Sequence, residues 1–520
     1  MSLEQELNQL LGNSVCFGMD IGTSNSSVAY KEQGMNPKTP DYMGANRGGV
    51  PSLAWRDRAG NEWYCDQVMG KQGLLEDPAG VWVSGKMKLG QKTVTLNGYD
   101  YETRYLMTKI VQRVLEISRK ALEEEMVDMT PEAWVAGVPV RFTAGERGEL
   151  ETILQQATGG KRIRLVPEPI LAAVANDYYT KKQGRQPRKV LVLDVGGGTF
   201  DVVMLVPNEA PTADQPEPYI ALHPDGLREA GDVLDEKAEE VILEALRKNP
   251  GGVRMDILEN EDHYDRRNLR QIAKAAKERL SNVDACAVQV TGVDCGQTMV
   301  NITRAQYEEK IRPVLQRMVD LSSQVLAKCG MGNYPDVDIL MVGGASYTPL
   351  LRTLLEEKFH WIPKEQILHR FPEKAVALGA AIYAETPSLV KPKVAYGYGV
   401  NTHIDDGKQE VLRVVIPSGA QLPMTVTAEF STLDANQAAV KFSVYEVADT
   451  GSSTHLRLEN GRVTTYSITH DFYSRVPRDT PVKLTTTLTE DGVLTMKVED
   501  FQPQKRETEK VFTMTNTRSQ

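Results

Sequence analysis

Two stretches with the same grammar constrain this chain more than anything else in it. Phe17-Gly18-Met19-Asp20-Ile21-Gly22-Thr23-Ser24-Asn25 lies near the start, and Val190-Leu191-Val192-Leu193-Asp194-Val195-Gly196-Gly197-Gly198-Thr199-Phe200-Asp201 lies well downstream. Each reads as an apolar strand, an aspartate, glycine and threonine, then a second strand. Glycine lets a hairpin turn bring its N–H groups close to a phosphate where a Cβ would clash. An aspartate at a strand end can hold a divalent cation, directly or through water, near that phosphate. One such loop is weak evidence. Two copies, each heading a βαβ-type region, predict a duplicated fold that clamps a nucleotide between two lobes.

The rest of the chain narrows the class. At 520 residues it has room for at least two domains. A net charge of −10 argues against a general nucleic-acid or anionic-membrane binder. The five cysteines, Cys16, Cys65, Cys286, Cys295 and Cys329, form no CxxC pair and have no histidine cluster near them. That disfavours metal ligation or a disulfide framework and fits a reducing cytosol. Cys16, in an apolar strand, reads as a core residue. Residues 1–13 alternate leucine with glutamate and glutamine and lack the regions of a signal peptide. No apolar run approaches spanning length.

From about Ser14 to Glu385, strand-like runs alternate with amphipathic helical patterns, as in an α/β unit. The spacing predicts helices over 106–125, 146–157 and 265–280, and one starting at Pro349, with proline favoured in its first turn. Strands are expected at 134–139 and 339–344, and a hairpin over 189–205. Composition then changes. Thr386 to Lys393 carries two prolines and no helical period, so it reads as a linker. Beyond it threonine and valine alternate with polar residues: Val440, Phe442 and Val444 face one way, Lys441 and Ser443 the other. Glu490-Asp491-Gly492 signals a hairpin turn. This is an all-β domain.

In this order, the motifs resemble the 70-kDa heat-shock protein (DnaK-type) chaperone family. Asp20 to Ser26, Val138-Pro139-Val140-Arg141-Phe142, Val166-Pro167-Glu168-Pro169, Asp194 to Asp201 and Val342 to Ser346 carry the resemblance. Each is weak alone; their order and the β domain that follows make the combination specific. The resemblance implies an actin-like α/β ATPase of two lobes with duplicated ribonuclease-H-like subdomains, then a β-sandwich. The expected divisions are a tail at 1–13, the nucleotide-binding domain at 14–385, a linker at 386–396, the sandwich at 397–515 and a tail at 516–520.

The resemblance also implies roles. Asp20 and Asp194 would flank Mg²⁺ and K⁺ beside the β- and γ-phosphates of ATP or ADP. Gly22, Thr23, Ser24, Asn25, Gly196, Gly197, Gly198 and Thr199 would contact phosphate oxygens. Lys86 matches the catalytic lysine, and Glu168 and Asp201 match carboxylates that orient the attacking water; phosphoryl transfer needs such an in-line water and positive charge where charge develops. Gly343, Gly344, Lys277 and Ser281 would reach the nucleoside. Pro139 and Arg147 match residues that relay nucleotide state between domains. Val400, His403, Phe430, Leu433, Val440 and Phe442 match peptide-pocket positions. Implied partners are unfolded client polypeptide, a J-domain co-chaperone and a nucleotide-exchange factor, with no nucleic acid or membrane. A cytoplasmic monomer is expected.

Three departures stand out. Glu278 and Tyr347 occupy the places of two arginines that clamp adenine, and Lys274 replaces a ribose-binding glutamate. A tyrosine face still stacks on a base, whereas a glutamate lacks the planar cation. ATP is expected to bind with weaker adenine discrimination. The linker, Leu389-Val390-Lys391-Pro392-Lys393-Val394, is basic, and Pro392 has no N–H for a strand. The family's helical lid after the β domain is not expected in this sequence, and fast client release is anticipated. The leading expectation is a slow, chaperone-like ATPase. A nucleotide-dependent regulator acting on one folded partner is the alternative. A small-molecule kinase of the same fold is disfavoured by the β domain.

Overall fold

The computed structural model describes residues 15–41, 49–70, 77–208, 218–261, 263–387, 394, 396–404, 408–447, 450–451, 453–489, 493–504 and 506–512. Both terminal tails, most of the linker (388–393 and 395) and the turn 490–492 lie outside the described residues.

Two five-stranded sheets share one topology. In the first the order is Arg162–Pro167, Ala133–Val138, Val15–Ile21, Asn25–Glu32, Val50–Pro51. In the second it is Ile367–His369, Val337–Val342, Lys189–Val195, Phe200–Pro207, Tyr219–Leu227. In each, the central strand pairs antiparallel with the strand that follows it through a glycine turn. On its other side it pairs parallel with a strand reached by crossover. Parallel strands require such crossovers, and buried parallel strands read as continuous apolar runs. That is why Leu191, Val192, Leu193 and Val195 are all inaccessible to solvent.

The helices extend the sequence pattern slightly at their N-termini. They span Thr103–Glu124, Ala144–Ala157, Tyr264–Leu280 and Pro349–Lys358. Thr143 caps the second of these through a reciprocal capping box with Glu146, which fixes its start. After the last strand of each sheet comes a small-residue helix, Glu168–Lys182 in one lobe and Ala375–Glu385 in the other. These two helices pack together between the sheets in a shared apolar core. Gly379 sits where an added Cβ would lie 1.8 Å from the Leu171 carbonyl oxygen, so the helices touch backbone to backbone.

The C-terminal part is two antiparallel sheets. One orders His455–Arg457, Gln409–Ile416, Gly397–Ile404, Gln437–Val447 and Gly461–Val476; the other orders Met424–Ser431, Pro481–Leu488, Leu494–Asp500 and Glu507–Phe512. Their inner faces form one core that includes Val444, Ile468, Leu484, Met496 and Val498. Val394, from the stretch expected to be linker, is part of that core and bonds through its N–H to the Ala420 carbonyl at 2.9 Å. Val400 and Phe442, expected at a peptide pocket, are buried in the same core. Inward alternation alone predicts that position. Among the described residues no helix is long and apolar enough to cross a membrane.

Candidate nucleotide site

The two glycine turns meet. Asp20 is the sixth of seven residues in Val15–Ile21, and Asp194 the sixth of seven in Lys189–Val195. Each is followed by one apolar residue and then glycine. The Gly196 N–H donates to the Thr199 carbonyl at 3.0 Å, which closes the second turn. A Cβ on Gly197 would lie 2.8 Å from Ser24 Oγ and 3.1 Å from Thr23 Cβ, so only glycine lets the turns approach. The cleft around them measures about 470 Å³, within the range of small-molecule sites.

Most of the expected site residues line that cleft: Asp20, Gly22, Thr23, Ser24, Asn25, Lys86, Glu168, Asp194, Gly196, Gly197, Thr199, Lys277, Ser281, Gly343, Gly344 and Tyr347. Two do not. Gly198 turns toward Met87, whose side chain a Cβ would strike. Asp201 lies behind the wall, 1% exposed, and its Oδ1 accepts from the Val140 N–H at 3.0 Å. Directly opposite Asp194 across the hairpin, it shares that residue's face of the sheet and sits one strand further from the cleft. Asp201 therefore holds the segment after Val138 and meets the cleft lining through Thr199.

Lys86 comes from a 3₁₀ turn, Gly85–Lys88, entered through Ser84 in a left-handed conformation at φ 55°. Ser84 Oγ donates to Asp232 Oδ2 at 2.8 Å, which ties this turn to the opposite lobe. Lys86 is 3% exposed, and its Nζ sits 2.5 Å from Glu168 Oε1 at the start of helix Glu168–Lys182. Burial works against the lysine charge, but Glu168 and Asp20 outweigh it and hold the pKa above its ordinary value. The carboxylates move the other way. Burial first, and Glu168 second, push Asp20 up to about 7 and Asp201 up to about 8. The same causes raise Asp194 well above the carboxylate range. Four acids around one lysine form a site short of positive charge.

That shortage fits a cation-bearing anion. Among the described residues no three His, Cys, Asp or Glu side chains converge as a metal cage. Asp20 and Asp194 instead stand at the mouths of two N–H-rich turns, where a divalent cation already carried by phosphate oxygens would meet them. Magnesium is commonly bound this way, through one or two carboxylates plus substrate phosphates.

A pH dependence follows. A carboxyl whose folded pKa is raised keeps a proton that the unfolded chain gives up, so stability is lost as pH climbs through the folded value. For Asp201 that window runs from its ordinary 3.8 to about 8. The ligand-free protein is expected to melt at progressively lower temperature from pH 5 to pH 8, and Asp201→Asn to flatten the slope. Calorimetric scans showing a constant or rising melting temperature would contradict this.

The other end of the cleft is lined by Lys274, Lys277, Glu278, Ser281, Asn282, Tyr347 and Glu373. Tyr347 is 47% exposed and meets His369 edge-on at 4.8 Å. Ser346 Oγ and His369 Nε2, 2.9 Å apart, fix that histidine. Lys277 is engaged by Asp235 at 2.6 Å. Asp232 and Asp235 escaped the sequence reading, although two acids three apart at a helix start are a visible signal. Glu373 had none.

A second network joins the lobes to the sandwich. Arg147 donates to the carbonyls of Phe142 (3.2 Å), Val140 (3.3 Å) and Pro139 (3.4 Å). Burial lowers its pKa, opposed by Tyr398 and Glu446 of the sandwich and by Asp201. Tyr396 OH donates to the Arg141 carbonyl at 3.0 Å, and the Arg141 guanidinium lies over the Tyr396 ring. Of the expected peptide positions, Phe430, Leu433 and Val440 are half-buried and His403 is exposed. Phe430 packs on Phe442 and under Arg413.

The Hsp70 protein family model matches residues 82–520, well over half of the chain. This chain belongs to the Hsp70 family. Hsp70 proteins are ATPases that use ATP and ADP with Mg²⁺, act as chaperones, and pair an actin-like ATPase with a β-sandwich; the mixed sheets and the β part seen here are consistent with that plan. The match begins after the first glycine turn. The equivalence of that turn to the second rests on the shared strand order.

Proposed function

We propose that this Hsp70-family chain binds and slowly hydrolyses ATP in the cleft between its lobes and couples nucleotide state to the grip of the sandwich on unfolded polypeptide. The observation that carries the proposal is the convergence of two glycine turns, two equivalent strand-end aspartates and the Lys86–Glu168 pair on one cleft. Residues 14–385 form the actin-like ATPase and 397–515 the client-binding sandwich.

Each group has work suited to it. Thr23, Thr199 and the turn amides hold phosphate oxygens. Asp20 and Asp194 would hold Mg²⁺, with K⁺ alongside; the bound cation neutralises phosphate charge. Lys86 supplies fixed positive charge where negative charge develops, and Glu168 sets its position. Asp201 braces the chain at Val140, and Arg147 grips the carbonyls on either side of it. A shift at the phosphates therefore has a short covalent and hydrogen-bonded route to Tyr396, and an electrostatic one to Tyr398 and Glu446. Phe430, Leu433 and Val440 offer apolar surface to an extended client, whose backbone can pair with a strand edge.

The test is client release. A labelled unfolded peptide bound to the protein is expected to dissociate faster after Mg·ATP is added. Tyr396→Phe removes the hydrogen bond to Arg141 and should shrink that acceleration severalfold while single-turnover hydrolysis continues; couplings of this kind are worth about 1–3 kcal/mol. A release rate indifferent to ATP would refute the coupled reading.

A further inference from the structure

Asp232 joins the machinery of both lobes without lining the cleft. It is the second residue of helix Gly231–Lys248, which packs in the core of the second sheet. Its N–H donates to the Gly197 carbonyl at 2.6 Å, and the Gly231 N–H donates to the Gly196 carbonyl at 3.0 Å. The start of this helix is therefore fixed to the second glycine turn by its main chain. The Asp232 side chain belongs to a different contact and accepts from Ser84 Oγ at 2.8 Å. Ser84 enters the turn that carries Lys86, and Trp82 and Leu89 on either side of that turn belong to the core of the first sheet. Gly231 and Asp235 line the cleft, whereas Ser84 and Asp232 stand outside the lining.

Strain marks this contact. Ser84 has φ 55° and ψ 35°, a left-handed conformation that a residue with a Cβ adopts rarely and that tends to persist where function holds it. Burial raises the Asp232 pKa, and the Ser84 hydrogen bond opposes that. Burial lowers the pKa of Lys88, at the end of the same turn, and Asp232 opposes that in its turn. Both ends of the Lys86 turn thus lean on one carboxylate of the other lobe. Within its own lobe Lys86 is set by Glu168. Its place relative to the second glycine turn depends on what joins the lobes. We propose that Ser84 and Asp232 are positioning residues for hydrolysis, whose hydrogen bond holds the Lys86 turn of one lobe against the phosphate turn of the other. The inference deepens the proposed function and rests on its reading of Lys86 and the two turns.

The experiment is single-turnover hydrolysis of Mg·ATP by the full chain, run below the melting temperature of every variant. Ser84→Gly takes up the left-handed conformation without strain and removes the hydroxyl. It should melt no lower than the unaltered protein yet hydrolyse about tenfold more slowly, since misplacing a reacting group by about 1 Å can cost about 100-fold. Ser84→Asn tolerates the same backbone and keeps a donor, so it should recover most of the rate. Asp232→Ala should lose as much as Ser84→Gly, and the double variant no more than either, because residues that act through one bond are not additive. Hydrolysis by Ser84→Gly at the unaltered rate, or losses that multiply in the double variant, would overturn the inference while leaving ATP hydrolysis in place. An unaltered chain that neither binds nor hydrolyses ATP would overturn the proposed function and the inference with it.

Discussion

Lys86→Ala is expected to lower single-turnover nucleotide hydrolysis by about 100- to 1000-fold, the loss typical when one preorganised charge-stabilising donor is removed. Positive charge is scarce in the site. Lys86 is the buried cation against which Glu168, Asp20 and Asp201 all lean. Removing it takes the fixed charge from the phosphates and leaves Glu168 without its 2.5 Å partner. Breaking one half of a buried pair usually costs about 3–5 kcal/mol when the other half stays charged. The neighbouring acids Asp20 and Asp201 are already pushed toward neutrality, so the fold should survive with a lower melting temperature. Lys86→Met with Glu168→Gln removes both charges and should recover stability without recovering turnover. That split separates a catalytic lysine from a structural one. Phosphate release within about threefold of the unaltered protein would remove Lys86 from the chemistry, since changes that small fall well short of a lost transition-state contact.

The same pair shows how far the sequence can be read. Strand-end aspartates with glycines announce themselves, because the turn needs glycine and the strand needs a continuous apolar run; both loops sit where the pattern put them. The duplication of this strand–turn–strand unit was legible for the same reason. Lys86 and Glu168 lie 82 residues apart, and nothing local joins them. Only the family resemblance singled them out, and the fold then placed them in contact. Asp201 reads like Asp194 in the sequence, yet it lies one strand further from the cleft and is engaged by the Val140 N–H. Val400 and Phe442 illustrate the limit of alternation, which names an inward face without saying whether that face meets a ligand or the second sheet. Tyr396 and Glu446 gave no signal at all, since an interdomain contact is encoded by shape across separated segments rather than by spacing along one.

Gly379→Ala is expected to destabilise the two-lobed unit by more than about 3 kcal/mol, beyond the usual range for an overpacked core. Helix propensity alone predicts the opposite sign, because alanine in a helix interior is favoured over glycine by about 1 kcal/mol. Packing decides. Helix Ala375–Glu385 lies against both helix Glu168–Lys182 and strand Val15–Ile21, and at each contact a glycine removes the side chain that would hold the backbones apart. A Cβ at Gly379 would sit 1.8 Å from the Leu171 carbonyl oxygen and 2.5 Å from its carbon. No rotamer change relieves a clash with main chain, so the helices must separate. At Gly18 the added Cβ would meet Ala380 Cβ at 2.4 Å, and Gly18→Ala should behave alike. Gly344, with nothing within 4 Å, is the control: Gly344→Ala should leave stability unchanged. Because Leu171 and Glu168 share one helix, forcing that helix away also moves the partner of Lys86, and nucleotide affinity should fall with stability. Urea unfolding followed by the buried Trp82 and Trp134, with nucleotide titrations of the folded fraction, reads both effects. If Gly379→Ala instead gained the stability that propensity predicts, the two lobes could not be joined through a glycine-mediated helix contact.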